Sequence, residues 1–353
     1  MRRGLLIAWV MMGTRSLAVA DEGAASKRAR TREPPLVEEP SCVASEVEAD
    51  DAAAAPPPRV PAGYDYDKGT HENYRSARPL FAGPFADIRR GLDYAYHNHY
   101  TAERQRVQDA IVERFMATRV VDAHDARACE APTQPWIVFT AGAMGAGKSF
   151  VLKWLVQAGR FPMAAFVHVD PDAVKYLLPE MQGYIRRDQA RAGSLTHHES
   201  GFIAEIITQA ALLRGKNVLV DGSLRNVAWY RQHMRALKAE HAQLRIAIVH
   251  VDAPADVVLR RAAKRARNTG REVPRALLLE TLEAVPASVA ALSPEADFVC
   301  RIHNGDAGVP ALTTPGLAWA DFTAQWEQEC RRDSYLAPIC VDAAATPRPK
   351  YFV

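Results

Sequence analysis

Between Trp136 and Ser149 the chain runs Trp-Ile-Val-Phe-Thr-Ala-Gly-Ala-Met-Gly-Ala-Gly-Lys-Ser. An apolar, β-favouring run enters a glycine-rich turn, and Phe150 to Leu155 continues as an amphipathic helix. Gly142 to Ser149 fits G-x-x-x-x-G-K-[ST], the spacing of a phosphate-binding loop. Glycines lack Cβ atoms, so the backbone N–H groups of Gly142, Ala143, Met144, Gly145, Ala146 and Gly147 can turn inward onto phosphate oxygens. The start of the next helix adds its dipole and its free N–H groups. Lys148 then reaches the β- and γ-phosphates of a nucleotide, and the Ser149 hydroxyl serves as a Mg²⁺ ligand. A Gly/Ala loop that merely ends in Lys-Ser is the plainer reading. The strand before it and the helix after it are the context the motif requires.

The 353 residues allow one large domain or two small ones. With 48% hydrophobic residues the composition is globular, and a net charge of +3 is too small to call for nucleic acid. Cys42, Cys129, Cys300, Cys330 and Cys340 are scattered, odd in number and without a C-x-x-C pair. That pattern argues against a disulfide framework and against a zinc site. Met1-Arg2-Arg3 and the apolar run Gly4 to Met12 resemble a signal peptide, with Ala18-Val19-Ala20 as its cleavage site. Translation from Met11 or Met12 would delete the apolar run and leave a cytoplasmic protein. The run is too short to span a bilayer, and no transmembrane segment is expected.

Four parts follow from the pattern. Residues 1–62 form a leader, signal-like and then disordered, rich in Ala, Pro, Glu, Arg and Ser. Its basic run Lys27 to Arg32 offers a targeting or nucleic-acid patch, although a solvated stretch explains it as well. Residues 63–130 form a helical extension, in which Leu92, Tyr96, Tyr100, Val107, Ile111 and Phe115 recur at helical steps from 84 to 117, with one break allowed. The aromatics of Tyr94 to Tyr100 are expected to pack this region onto the core rather than to stack on a base. Residues 131–305 form the phosphate-loop domain, and 306–353 a tail with a short helix from Phe322 to Arg331. Within the domain, strands are expected over 164–169, 217–221, 244–251 and 297–302, alternating with helices over 202–213, 229–239, 257–267 and 274–292. Alternation of this kind means a mostly parallel sheet covered on both faces, an α/β three-layer sandwich. Val167-His168-Val169-Asp170 and Val249-His250-Val251-Asp252 echo one another. A paired-histidine metal site is conceivable there, but each histidine stands alone in an apolar strand with no second ligand at helical spacing.

Ligands of an open α/β sheet sit at the carboxyl ends of its strands, which selects Asp170, Asp172, Asp221 and Ser223. Asp221 closes an apolar strand, the place of an acid in a Mg²⁺ shell; a plain loop-starting Asp is the alternative. Asp170 precedes Pro171, as an N-cap precedes a proline at the first helical position. Asp172 is then placed to accept the proton of an attacking hydroxyl, or only to complement the helix dipole. Arg260, Arg261, Lys264, Arg265, Arg267 and Arg271 crowd one helix end and the turn after it. So many cations repel unless anions sit opposite, and the phosphates of ATP would serve.

The order of loop, Val169 to Lys175, Glu205, Asp221-Gly222-Ser223, Arg265 and Arg271 resembles the zeta-toxin family of P-loop kinases. The resemblance covers roughly residues 135 to 305. It implies a P-loop NTPase fold, ATP and Mg²⁺ as cofactors, and transfer of phosphate to a sugar hydroxyl of the nucleotide sugar UDP-N-acetylglucosamine. It further implies Asp172 as general base, Glu205 and Ser223 as substrate contacts, and Arg265 and Arg271 as the arginines that bind phosphate and offset transition-state charge. Family members often carry Thr where Ser223 stands, and the loop between the two arginines is short here. An antitoxin-like inhibitor is not evident, since one acting in trans leaves no mark in this chain. Two functions compete. A polynucleotide 5′-kinase shares the loop and the acid, and predicts transfer to oligonucleotide ends with steep salt dependence. A non-catalytic ATP-binding module predicts binding without transfer. A GTPase is not supported, because no N-K-x-D tetrad occurs. The acceptor is expected to be walled by loops such as Gln182 to His198.

Overall fold

A computed structural model describes residues 60–269, 275–306 and 308–336. Most of the leader, Cys42, Cys340 and Arg271 lie outside the described residues. The extension opens with α1 (Thr70–Asn73) and α2 (Ala86–Arg90). Thr101 then caps α3 (Ala102–Met116), its side chain accepting the N–H of Arg104. The helical pattern expected over 84–117 is therefore interrupted. Residues 91–101 fold back instead, with Ser76 N–H donating to His99 O and Thr101 N–H to Tyr74 O. Two short strands, β1 (Val120–Val121) and β2 (Ala128–Cys129), pair antiparallel before the domain proper.

The central strand β3 (Trp136–Ala141) is buried at all 6 positions. Being apolar on both faces suits a parallel strand between two helical layers. The chain continues through α4 (Lys148–Gln157), β4 (Phe166–Val169), α5 (Pro171–Lys175), α6 (Met181–Arg187), α7 (Gln189–Leu195) and α8 (His197–Leu213). It goes on through β5 (Asn217–Val220), α9 (Val227–Glu240), β6 (Arg245–Asp252), α10 (Ala255–Thr269), α11 (Arg275–Leu292), β7 (Phe298–His303), β8 (Ala311–Leu312) and α12 (Trp319–Ala324). The sheet runs β4-β5-β3-β6-β7-β8, parallel except for the β7–β8 pair.

Alternation along β3 divides the core. Ile137, Phe139 and Ala141 join Val218, Val220, Ile246 and Ile248 under α3, α8, α9 and α11. Trp136 and Val138 join Leu219, Ala247 and Val249 under Val151, Leu152 and Leu155 of α4. This is the three-layer α/β sandwich that the sequence predicts. Among the described residues one segment, Arg275–Glu295, has the length and apolar composition of a membrane span. It contains α11, whose Leu278, Val285 and Leu292 are buried in the protein core.

Three expectations are corrected. The residues after 305 do not hang off the domain: β8 extends the sheet, and Phe322 and Trp326 close the α4 face. The Asn217 amide there donates to Gln328 Oε1 at 2.6 Å and accepts from Gln328 Nε2 at 3.0 Å. The helix of this segment spans Trp319–Ala324, earlier than expected. Second, Cys129 and Cys330 form a disulfide across 201 residues of sequence. Spacing carried no sign of it, because only the fold brings β2 beside the chain after α12. Cys300 in β7 is free and buried. Third, residues 182–198 are not loops but α6, α7 and the start of α8.

What fixes those helices is a buried arginine of the extension. Arg104 Nε and Nη2 donate to the Glu199 carboxylate at 2.5 and 2.8 Å, and Nη1 and Nη2 donate to Glu180 at 2.9 and 3.0 Å. Gln108 and Tyr74 donate to the same two acids. Three charges shut away from water are tolerable only when each is paired. The extension is thereby joined to the helices that follow β4.

Candidate active site

The loop between β3 and α4 is shaped by close backbone approach. A Cβ on Gly142 would stand 2.5 Å from Val251 O of the neighbouring β6. Gly147 has φ 87° and serves as the N-cap of α4, a conformation glycine adopts without strain. On the far side, Asn304 Nδ2 donates to Ala146 O at 2.8 Å. Arg261 donates to Asn304 O and Gly305 O, each at 3.0 Å. Arg261 is thus a tie for the loop.

Lys148 is half-buried, and its ammonium donates to Gly142 O at 3.1 Å. Burial pushes that ammonium below the usual lysine range; the Asp221 carboxylate resists the fall and the Arg265 guanidinium adds to it. Arg265 is thus an α10 arginine whose charge bears on the loop lysine. Asp221, just past β5, is oriented from β3: Thr140 Oγ1 donates to its Oδ1 at 2.6 Å, and Gly222 N–H donates to Thr140 Oγ1 at 2.9 Å. Ser149 is exposed at the second position of α4. The Ser149 hydroxyl and the Asp221 carboxylate are oxygen donors of the kind that suit Mg²⁺.

Asp170 follows β4 and caps α5, accepting Asp172 N–H at 2.8 Å with Pro171 at the first helical position. Burial raises its carboxyl; His168 opposes that, while the negative charges of Asp172 and Asp221 push it further up. Three acids from the ends of β4 and β5 thus share one neighbourhood. Asp172 Oδ1 accepts Lys175 Nζ at 2.6 Å, with 22% of the Asp172 side chain exposed. Ser223 is half-buried in the segment after β5. Nearby, burial raises the Tyr230 hydroxyl to about 12, and Asp221 adds to the rise.

Glu205 is placed differently from what the resemblance implies. It lies in α8 at 2% exposure, with Oε1 3.0 Å from His97 Nε2 of the extension. Burial raises its carboxyl, and the His97 contact opposes the rise. In this conformation the extension closes it from solvent. The echoed histidines are not neighbours: β5 and β3 separate β4 from β6 by about 14 Å, and the register sets His168 level with Ala247 rather than His250. A cavity of about 240 Å³ adjoins the loop, lined by Ala143, Ala146, His250, Asp252, Leu282 and Arg301 among others. Lys148 and Asp172 do not line it. Sequence reasoning missed Thr140, His97 and Asn304. Of these only Thr140 left a trace, as a polar residue ending an apolar strand.

The family model described as Zeta toxin matches residues 121–307. The curated relative ribose 1,5-bisphosphate phosphokinase PhnN of Burkholderia pseudomallei is 29% identical over 164 residues, covering 44% of this chain and 83% of that protein. Its counterpart in Burkholderia mallei is 28% identical over the same shares. Among solved structures, one from the PezAT toxin–antitoxin system of Streptococcus pneumoniae has 14% identity and a TM-score of 0.44, covering 65% of this chain and 88% of its own. The AvrRxo1-ORF1:-ORF2 structure with ATP has 16% identity and a TM-score of 0.44, covering 70% of this chain and 76% of its own. The family match spans more than half of the 353 residues and contains the loop, the acids and Arg265, so the chain belongs to the Zeta toxin family.

Proposed function

We propose that this protein is an ATP-dependent kinase that moves the γ-phosphoryl group to a hydroxyl of a small molecule, a nucleotide sugar such as UDP-N-acetylglucosamine. One observation carries the reading: the glycine loop closes on Lys148 at the first position of α4, and Asp221 and Asp172 follow β5 and β4, the next two strands of the sheet. Lys148 is acted on by Asp221 and Arg265, and Asp170 by Asp221 and Asp172. A triphosphate laid in the loop brings its γ-phosphoryl group to Lys148, and an alcohol held by Asp172 meets it there. The backbone N–H groups from Gly142 to Gly147 hold the phosphates. Ser149 and Asp221 would hold Mg²⁺, which would supply charge neutralisation to the phosphates. Asp172 orients the acceptor hydroxyl and takes its proton. Arg265, with Arg271, meets the negative charge that spreads over the transferred group. Ser223 contacts the acceptor, and Glu205 joins it only if His97 turns away.

The test is transfer from γ-labelled ATP to a panel of nucleotide sugars. Labelled UDP-N-acetylglucosamine is expected, and Asp172→Asn abolishes transfer while leaving ATP binding intact. Unchanged turnover in that variant would remove the base role. The ribose 1,5-bisphosphate phosphokinase relatives favour a second reading, in which the acceptor is a phosphorylated sugar. Label in ribose 1,5-bisphosphate instead of the nucleotide sugar selects it. Label on oligonucleotide 5′ ends selects a polynucleotide kinase, and bound ATP with no labelled product selects a binding module.

A further inference from the structure

We propose that Lys175 is a positioning residue for phosphoryl transfer, holding the Asp172 carboxylate in the orientation that receives the acceptor hydroxyl. The proposal rests on the kinase reading above. Lys175 ends α5, and its ammonium lies 2.6 Å from Asp172 Oδ1. Only 6% of its side chain is exposed, against 22% for Asp172. Burying an ammonium costs desolvation that an apolar side chain of similar length avoids, so packing alone gives no reason for a lysine here.

The helix that carries Asp172 needs such support. α5 has only 5 residues, too few to be stable by itself. Asp170 fixes its first turn from the backbone side, through the Asp172 N–H. Lys175 fixes the Asp172 side chain one turn later. Charge balance gives the same assignment. Asp170, Asp172 and Asp221 are close enough that the latter two disfavour ionisation of the first. Lys148 offsets Asp221 on the phosphate side of the site. Once ATP engages Lys148, Lys175 stays committed to Asp172, at the acceptor side. It acts through Asp172, not on the reacting atoms.

The test uses the whole protein, γ-labelled ATP and UDP-N-acetylglucosamine as the acceptor probe. kcat, both KM values, the pH profile of kcat and Tm are measured for wild type, Lys175→Met and Lys175→Arg. Lys175→Met is expected to lower kcat about 100-fold, the scale of a misplaced reacting group. Its KM for ATP and its Tm stay at the wild-type values. The acidic limb of its kcat profile moves to higher pH, because a carboxylate that loses its cation protonates more readily. Lys175→Arg regains part of the rate and returns the limb toward wild type. Wild-type kcat in Lys175→Met, or a lowered kcat with an unmoved acidic limb, overturns the proposal. A rate loss that tracks a Tm loss in both variants also overturns it. Wild-type protein that labels neither UDP-N-acetylglucosamine nor ribose 1,5-bisphosphate nor oligonucleotide 5′ ends overturns the kinase reading itself, and label in one of the latter two moves the same comparison of variants to that acceptor.

Discussion

Thr140 contributes one hydroxyl, and the orientation of Asp221 depends on it. Removing it in Thr140→Val frees the Asp221 carboxylate to turn and strips the Gly222 N–H of its acceptor. With Asp221 as the proposed Mg²⁺ ligand, losing the group that orients it lowers metal affinity by about 10–100-fold. Thr140→Val is therefore expected to need more Mg²⁺ for half-maximal turnover, read from a Mg²⁺ titration of phosphate transfer. A methyl at position 142 would meet a neighbouring carbonyl, so Gly142→Ala is expected to lose ATP binding while its circular dichroism stays that of the wild type. His233 gives a pH prediction. Burial lowers its imidazole from 6.5 to about 4, so the folded protein keeps it neutral. As pH falls below 6.5 the unfolded chain takes up a proton that the folded chain refuses. This group's share of stability is complete above 6.5 and declines by about 1.4 kcal/mol per pH unit down to the folded value. Urea midpoints across that window should fall more steeply for wild type than for His233→Phe.

Elements differ in how plainly the sequence announces them, and the reason is the kind of burial each has. β3 and its loop are legible because an unbroken apolar run and a glycine spacing each have few alternatives. The strands that flank β3 share its two-sided burial, and their closing acids follow from where a parallel sheet places its ligands. α6 and α7 are illegible because they lack a long apolar stripe. Met181, Tyr184 and Ala192 bury themselves in a small cluster against Tyr64 and Tyr66 of the extension. The burial of Glu205 under His97 was hidden for a related reason, since its partner lies 108 residues away. Arg104 belongs to this scale as well. In Arg104→Ala, Glu180 and Glu199 lose their shared cation while staying buried. Breaking such a set from one side costs about 3–5 kcal/mol. Urea unfolding of the variant should register a loss of that size, with α6, α7 and the start of α8 the first to gain amide exchange.

For the whole molecule, the boundary drawn at residue 131 and the one drawn at 305 both cut through packed core. Ile111, Val112 and Met116 belong to one face of the sheet, and Phe322 and Trp326 to the other. A fragment of residues 131–305 is expected to show no cooperative thermal transition, whereas residues 60–336 should melt as one unit. Reducing the Cys129–Cys330 bond should lower stability by about 2–5 kcal/mol, measured as a shift in urea midpoint with and without reductant. The bond has one more consequence. It closes all the chain between its two sulfurs into a covalent ring. A protease that cuts once anywhere on that ring opens it without releasing a piece, and the nicked protein still migrates as a single band until its sulfurs are parted.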